Sequence, residues 1–177
     1  MGRRGTAGRR PPRARRAHRL IRGRPAGASS IRPVRIDVLN GVNLDLLGRR
    51  DPAQYGDGSL QDLETQVYAW ARELGLQVRC RQTNHEGEYV EFLHAALDNA
   101  DALVLNPGAW SHYSWAIHDA LEPFSGPVVE VHLSNVEERE TWRRSSVLEG
   151  LTSERIVGDG INGYRRALAM LAERRDG

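Results

Sequence analysis

The sequence contains no lysine, so all 25 of its basic residues are arginine. Chemistry through a Schiff base or a lysine nucleophile is thereby excluded for this chain. Cysteine is almost as scarce. Cys80 stands alone and cannot close an internal disulfide, which fits a reducing compartment and a packing role in the strand expected at Leu76–Gln82. No apolar run approaches the length of a membrane span, and the arginine-rich start lacks the apolar stretch of a secretory signal. A cytoplasmic protein without a membrane partner is therefore expected. Acidic residues are missing from positions 1–30, which hold 10 of the arginines. Positions 31–177 hold 15 arginines against 23 acidic residues, a net of −8, so the overall charge of +2 describes neither part.

Residues 1–30 are mostly Arg, Gly, Pro and Ala and cannot bury enough apolar surface to offset chain entropy, so a disordered tail is expected there. An arginine-rich arm can bind nucleic acid or act as a targeting segment. No aromatic is interleaved with these arginines, and a nucleic-acid partner is not expected. The remaining residues, 31–177, are enough for one domain with a real core.

Strands and helices alternate from Val34 onward. Strands are expected at Val34–Leu39, Leu76–Gln82, Ala102–Leu105, Val128–Val131 and near Arg155–Val157. Helices are expected at Leu60–Leu74, Glu86–Leu97, Ser114–Leu121, Val136–Trp142 and Asn162–Glu173. Ser59 and Gly75 supply the caps of the first of these helices, and Asp62 sits in its first turn. Such alternation implies an α/β three-layer sandwich around a five-stranded parallel sheet, for which the flavodoxin-like order 2-1-3-4-5 is expected. Ligands of such sheets bind outside the carboxyl ends of the strands. The polar clusters Asn40-Gly41-Val42-Asn43, Asn106-Pro107-Gly108 and His132-Leu133-Ser134-Asn135 all fall at those ends.

Glu130 and His132 lie two apart on one strand and so share a face. A carboxylate beside an imidazole fixes its tautomer and favours its protonated form, as a general acid requires. The same pair on an edge strand would be a surface salt bridge. The long first loop, Asn40 to about Gly58, carries Arg49, Arg50, Tyr55 and Gly56. A phenol among arginines can serve as a base, because cations stabilise phenolate. It can equally be a packed tyrosine among solvated arginines.

Taken together, Asn40–Arg50, Tyr55-Gly56, Gln82–Glu88, Asn106–Ala109 and Glu130–Asn135 resemble type II 3-dehydroquinate dehydratase, in order and in register over about residues 34–173. The resemblance implies dehydration of 3-dehydroquinate to 3-dehydroshikimate, an anti elimination through an enolate with no metal and no cofactor. This chemistry serves the shikimate pathway or quinate catabolism. It implies Tyr55 as base, activated by Arg50 and Arg139, and His132, oriented by Glu130, as the acid at the leaving hydroxyl. Asn43 would hold a water at the enolate oxygen. Asn106 and the amides of Leu133 and Ser134 would bind the carboxylate, and His112 and Arg143 the ring hydroxyls. The resemblance further implies a lid from the first loop and a homododecamer, a tetramer of trimers. Asp119 would reach a neighbouring copy's site. Proline, threonine, arginine and histidine are usual in the family where Val42, Tyr113, His118 and Ser145 stand here.

Two other readings stay open at this point. A flavodoxin-like module could hold a flavin or a ring carboxylate without catalysis, although the first loop lacks the Ser/Thr-rich character of a phosphate site. A nucleic-acid-associated protein would work through the tail. His85, Glu86 and Glu88 suggest a metal cluster at first sight, but their place at a helix start favours capping and macrodipole roles. His94 is expected on a helix surface. Trp70, Trp110, Trp115 and Trp142 are expected in packing or subunit contacts and not as a cofactor box, with Trp110 the one expected to line the cleft.

Overall fold

The computed structural model describes residues 32–174, and the expected disorder of residues 1–30 lies outside the described residues. Five strands form one parallel sheet in the order β2-β1-β3-β4-β5: β1 (Arg35–Asn40), β2 (Gln77–Gln82), β3 (Ala102–Asn106), β4 (Val128–His132) and β5 (Glu154–Val157). Five helices accompany them: α1 (Pro52–Tyr55), α2 (Leu60–Glu73), α3 (Glu86–Asn99), α4 (Trp115–Leu121) and α5 (Asn162–Glu173). The architecture is the flavodoxin-like sandwich expected from the pattern.

Period-two alternation along the strands divides the apolar residues between two cores. On one face Ile36, Val38, Val104, Val131 and Ile156 pack under α2 and α5, which contribute Leu63, Val67, Trp70, Tyr164 and Leu168. On the other, Leu39, Leu103, Leu105 and Val128 meet Tyr89 and Leu93 of α3 and Ile117 and Leu121 of α4. Both faces are covered, so β3 and β4 are buried throughout and β1 from Ile36 onward. Trp110 takes the packing role expected of the tryptophans and not the place at the cleft. It is buried in the second core with its ring 5.6 Å from that of Tyr89, edge to face, and is not among the residues lining the cavity at the strand ends.

The helix starts follow local chemistry. Ser59 and Asp62 form a capping box at α2, and the bonds from Ser59 hold the Asp62 carboxyl below its usual range. Gly75, at φ +68, ends that helix. Cys80, on β2, packs against the first core, and burial pushes its thiol up to about 12. His85 precedes α3 with no capping bond from its ring, while Glu86 and Glu88 occupy the first turn. Thr83 instead bonds both Glu88 and the His85 amide. His94 is exposed on α3, as expected.

Two local differences bear on function. The first loop is not featureless: Leu44–Leu46 make a 3-10 turn, and Asp51 caps the one-turn helix α1, which has Pro52 at its start. Residues 136–142, expected as one helix, form two 3-10 turns instead, Val136–Glu138 and Thr141–Arg143. Arg139 between them is extended, at φ −104 and ψ −164. Its guanidinium is engaged by tertiary partners across the site, and such contacts override local helix preference.

The loops after β1 and β3 interlock through glycine. A Cβ at Gly41 would stand 2.3 Å from the Pro107 carbonyl oxygen, and one at Gly108 would stand 2.6 Å from that of Val42. Gly108 also has φ +67, where a side chain is strained. The Gly41 amide donates to the Asn106 carbonyl at 2.8 Å. The two loops fit only because neither glycine has a side chain.

Candidate active site

The carboxyl ends of β1, β3 and β4 lie side by side, because Asn40 pairs in register with Asn106 and Glu130 with Leu105. A cavity of about 90 Å³ opens above them. It is lined by Asn43, Arg50, Tyr55, Asn106, His112, His132, Leu133, Ser134, Arg139 and Arg143. A larger cavity of about 430 Å³ lies on the other side of Tyr55 and Leu133, walled by Leu47, Leu63 and Ile161. It has Asp57 and Asp62 but no histidine or arginine in its walls. The smaller one gathers the groups capable of acid–base chemistry.

On its β4 side, Glu130 is fully buried and His132 is 5% exposed. The imidazole Nε2 lies 2.7 Å from Glu130 Oε1, so the pair that alternation placed on one face is in direct contact on an interior strand. Ser146 Oγ lies 3.0 and 2.8 Å from the two carboxylate oxygens and fixes the group from a third direction. A carboxylate on Nε2 leaves Nδ1 as the ring nitrogen free to meet a ligand. His112 stacks against His132 at a centroid distance of 5.7 Å. Its Nδ1 donates to the Ser145 carbonyl at 2.9 Å, which makes Nε2 the acceptor of the neutral ring. Burial draws the His112 imidazole below its ordinary range, with His132, Arg143 and Arg155 adding to it against the Ser145 bond.

Across the cavity, the Tyr55 hydroxyl receives two guanidinium bonds, both at 2.7 Å, from Arg50 and Arg139. Arg50 also lies over the ring, 3.8 Å from its centroid. Two cationic donors on one oxygen form a site that stabilises negative charge there. Arg139 additionally reaches Ser134 Oγ at 3.3 Å. Arg143 is oriented by Glu140 at 2.8 Å, whose carboxyl is held below its usual range by its own backbone amide and by Arg143. Arg139, between the two 3-10 turns, and Arg143, in the second, line the same cavity although the helix expected over 136–142 does not form.

Asn43 is the only non-glycine with positive φ among the described residues, at +67. Its amide donates to Asn84 Oδ1 at 2.8 Å, and Asn84 is held in turn by Asp45. A residue kept in this sparsely populated region needs such support. Asn106 is fixed at both ends of its amide: Nδ2 donates to Tyr164 Oη at 2.9 Å, and Oδ1 accepts from the Gly108 amide at 3.3 Å. Tyr164 donates to Asn40 Oδ1 at 2.6 Å, completing a buried chain.

Of the residues proposed from sequence, ten line this cavity, and Glu130 lies behind His132. Asp119 is not among them; it is exposed on α4. Ser146 and Tyr164 were not foreseen. Serines give no sequence signal for such a role, and Tyr164 sits in a helical apolar pattern that conceals its hydroxyl.

The family model described as dehydroquinase class II matches residues 34–172. The chain belongs to that family. A 3-dehydroquinate dehydratase of Pelobacter propionicus is 50% identical over 140 residues, 78% of this chain and 94% of that protein. A 3-dehydroquinate dehydratase 2 of Pseudomonas putida is 49% identical over 136 residues, covering 77% and 91%. The crystal structure of a type II dehydroquinase from Propionibacterium acnes superposes with a TM-score of 0.76 at 45% identity, covering 78% of this chain and 96% of that one. Of the positions where this sequence departs from the expected family pattern, His118 bonds the Val147 carbonyl at 2.6 Å through Nδ1, and Ser145 offers its backbone carbonyl to His112 of the cavity wall. Tyr113 is exposed beside His112. Among the described residues, no group of three or more His, Cys, Asp or Glu is placed to hold a metal ion.

Proposed function

We propose that this dehydroquinase dehydrates 3-dehydroquinate to 3-dehydroshikimate, with Tyr55 as the base and His132 as the acid. The observation that carries the assignment is the Tyr55 oxygen bonded by two guanidinium groups in the cavity that also exposes His132. The proton to be removed lies alpha to a ketone, so its loss leaves an enolate. Tyr55, with Arg50 and Arg139 holding charge on its oxygen, takes that proton. Asn43 holds a water against the enolate oxygen, where negative charge develops. The enolate then expels the hydroxyl on the opposite face of the ring as His132 protonates it, and Glu130 balances the imidazolium.

Asn106 and the backbone amides of Leu133 and Ser134 bind the ring carboxylate, while His112 and Arg143 bind the ring hydroxyls. Arg50 and its loop close over the bound ring. Asp119, exposed on α4, serves the site of a neighbouring copy in a homododecamer built as a tetramer of trimers, and the enzyme works in the cytoplasm without a metal or cofactor. Purified protein mixed with 3-dehydroquinate and a chelator is the test. Saturable growth of the ultraviolet absorbance of the conjugated enone carboxylate is expected. A flat trace from folded protein would overturn the reading.

A further inference from the structure

Behind the Glu130–His132 pair, β5 sets Arg155 directly opposite Glu130 in the sheet register. Its Nε lies 3.9 Å from Glu130 Oε1, too far for a hydrogen bond but within ion-pair range. That nitrogen is buried and has no hydrogen-bond partner, the kind of unsatisfied donor that calls for a reason. The rest of the guanidinium is engaged. Nη1 donates to the Arg144 carbonyl at 2.9 Å and Nη2 to the Arg143 carbonyl at 3.3 Å, and Glu137 lies 3.4 Å from Nη1. Arg155 thus touches both the buried carboxylate and the turn that presents Arg143 to the cavity.

The charges around Glu130 give this contact a role in the reaction read above, on which the inference rests. While His132 is an imidazolium, the buried carboxylate has its counter-charge. Once the imidazole gives its proton to the departing hydroxyl, Glu130 is left as a fully buried anion beside a neutral ring and a serine hydroxyl. An isolated charge in such a place is costly. Arg155 is the cation within ion-pair range of Glu130 that remains.

We propose that Arg155 is a positioning residue for this dehydroquinase. It neutralises Glu130 as His132 loses its proton, and its forked head holds the Arg143 turn in register with the acid. Proton release from His132 is thereby favoured in the transition state and not in the resting enzyme alone, so the charge contributes to kcat. The bonds to the Arg143 and Arg144 carbonyls contribute to KM.

A double-mutant cycle in the dehydration assay separates this from a purely structural part. Arg155→Met should lower kcat about tenfold, a coupling typical of groups in one network. In a Glu130→Gln background, where there is no anion to neutralise, the same change should leave kcat unaltered. Arg155→Lys keeps the charge and loses the fork, so it should restore most of kcat while KM stays raised. Losses of kcat from Arg155→Met and Glu130→Gln that simply multiply would overturn the proposal, as would Arg155→Lys behaving like Arg155→Met. Should Arg155→Met unfold, Arg155→Gln, which keeps a donor without charge, gives the same reading. An inactive wild-type chain would instead remove the reaction itself.

Discussion

The two halves of the active site are built in opposite ways. The acid half is part of the sheet. Glu130 and His132 are both buried on an interior strand, and Ser146 holds the carboxylate from behind. The base half is carried by a loop. Tyr55 ends a four-residue helix with no buried residue, and its oxygen is held by two arginine side chains. One half depends on the fold being intact, and the other on two arginine side chains meeting the Tyr55 oxygen. Damage to the first should therefore cost stability and turnover together, and damage to the second turnover alone.

The largest separation of these effects is expected from Tyr55→Phe. Loss of the base should lower turnover by about 10²–10⁴-fold. Because the ring stays in place, denaturant stability should move by no more than about 0.5 kcal/mol. A large loss of stability would show that the loop is built into the fold after all. Glu130→Ala should depress both properties, since breaking a buried pair costs about 3–5 kcal/mol; urea unfolding with the assay run alongside would show it. A stable but slow variant would place the acid half on the same footing as the base half.

Gly41→Ala should destabilise by about 1–3 kcal/mol, the usual range for forced overpacking. It should also raise KM by displacing the Asn106 loop, which a neutral effect in both readouts would refute. Arg50→Ala removes one of the two donors on Tyr55 and should slow turnover by about tenfold, a loss of roughly 1.4 kcal/mol in transition-state stabilisation with stability unchanged.

The smallest expected effect concerns His112. Its folded imidazole is held below its ordinary range, chiefly by burial. The unfolded chain takes up a proton near pH 6.5 and the folded group only at lower pH, so the unfolded state binds more protons between them. Stability from this group is present above about pH 6.5 and falls as the solution is acidified below it. His112→Gln should flatten that slope between pH 7 and 5. An unchanged slope in denaturant midpoints would assign it to other groups.

How much of this was readable in the sequence follows the same division. The strand order rests on the fold type and not on any local pattern, whereas the division of apolar residues between two faces and the Glu130–His132 contact follow from alternation, because period two puts residues i and i+2 on one face whatever else the chain does. The caps of α2 were equally local. What escaped depends on partners distant in sequence. Arg139 leaves helical backbone for partners at Ser134 and Tyr55, the latter 84 residues away. Trp110 is taken up by Tyr89 of the second core and not by the cleft. Tyr164 reaches 124 residues back to Asn40, through a hydroxyl that helical periodicity treats as one more apolar contact.

Cys80 has a practical consequence. Its thiol, pushed up to about 12, is protonated at neutral pH, and thiolate is the form that alkylating reagents capture. A cysteine introduced at exposed Gln54, one residue before Tyr55, would thus be modified by iodoacetamide dyes with little background, and the native chain needs no prior removal of its own sulfhydryl. Fluorescence from that position would follow the tyrosine-bearing loop as substrate enters and leaves.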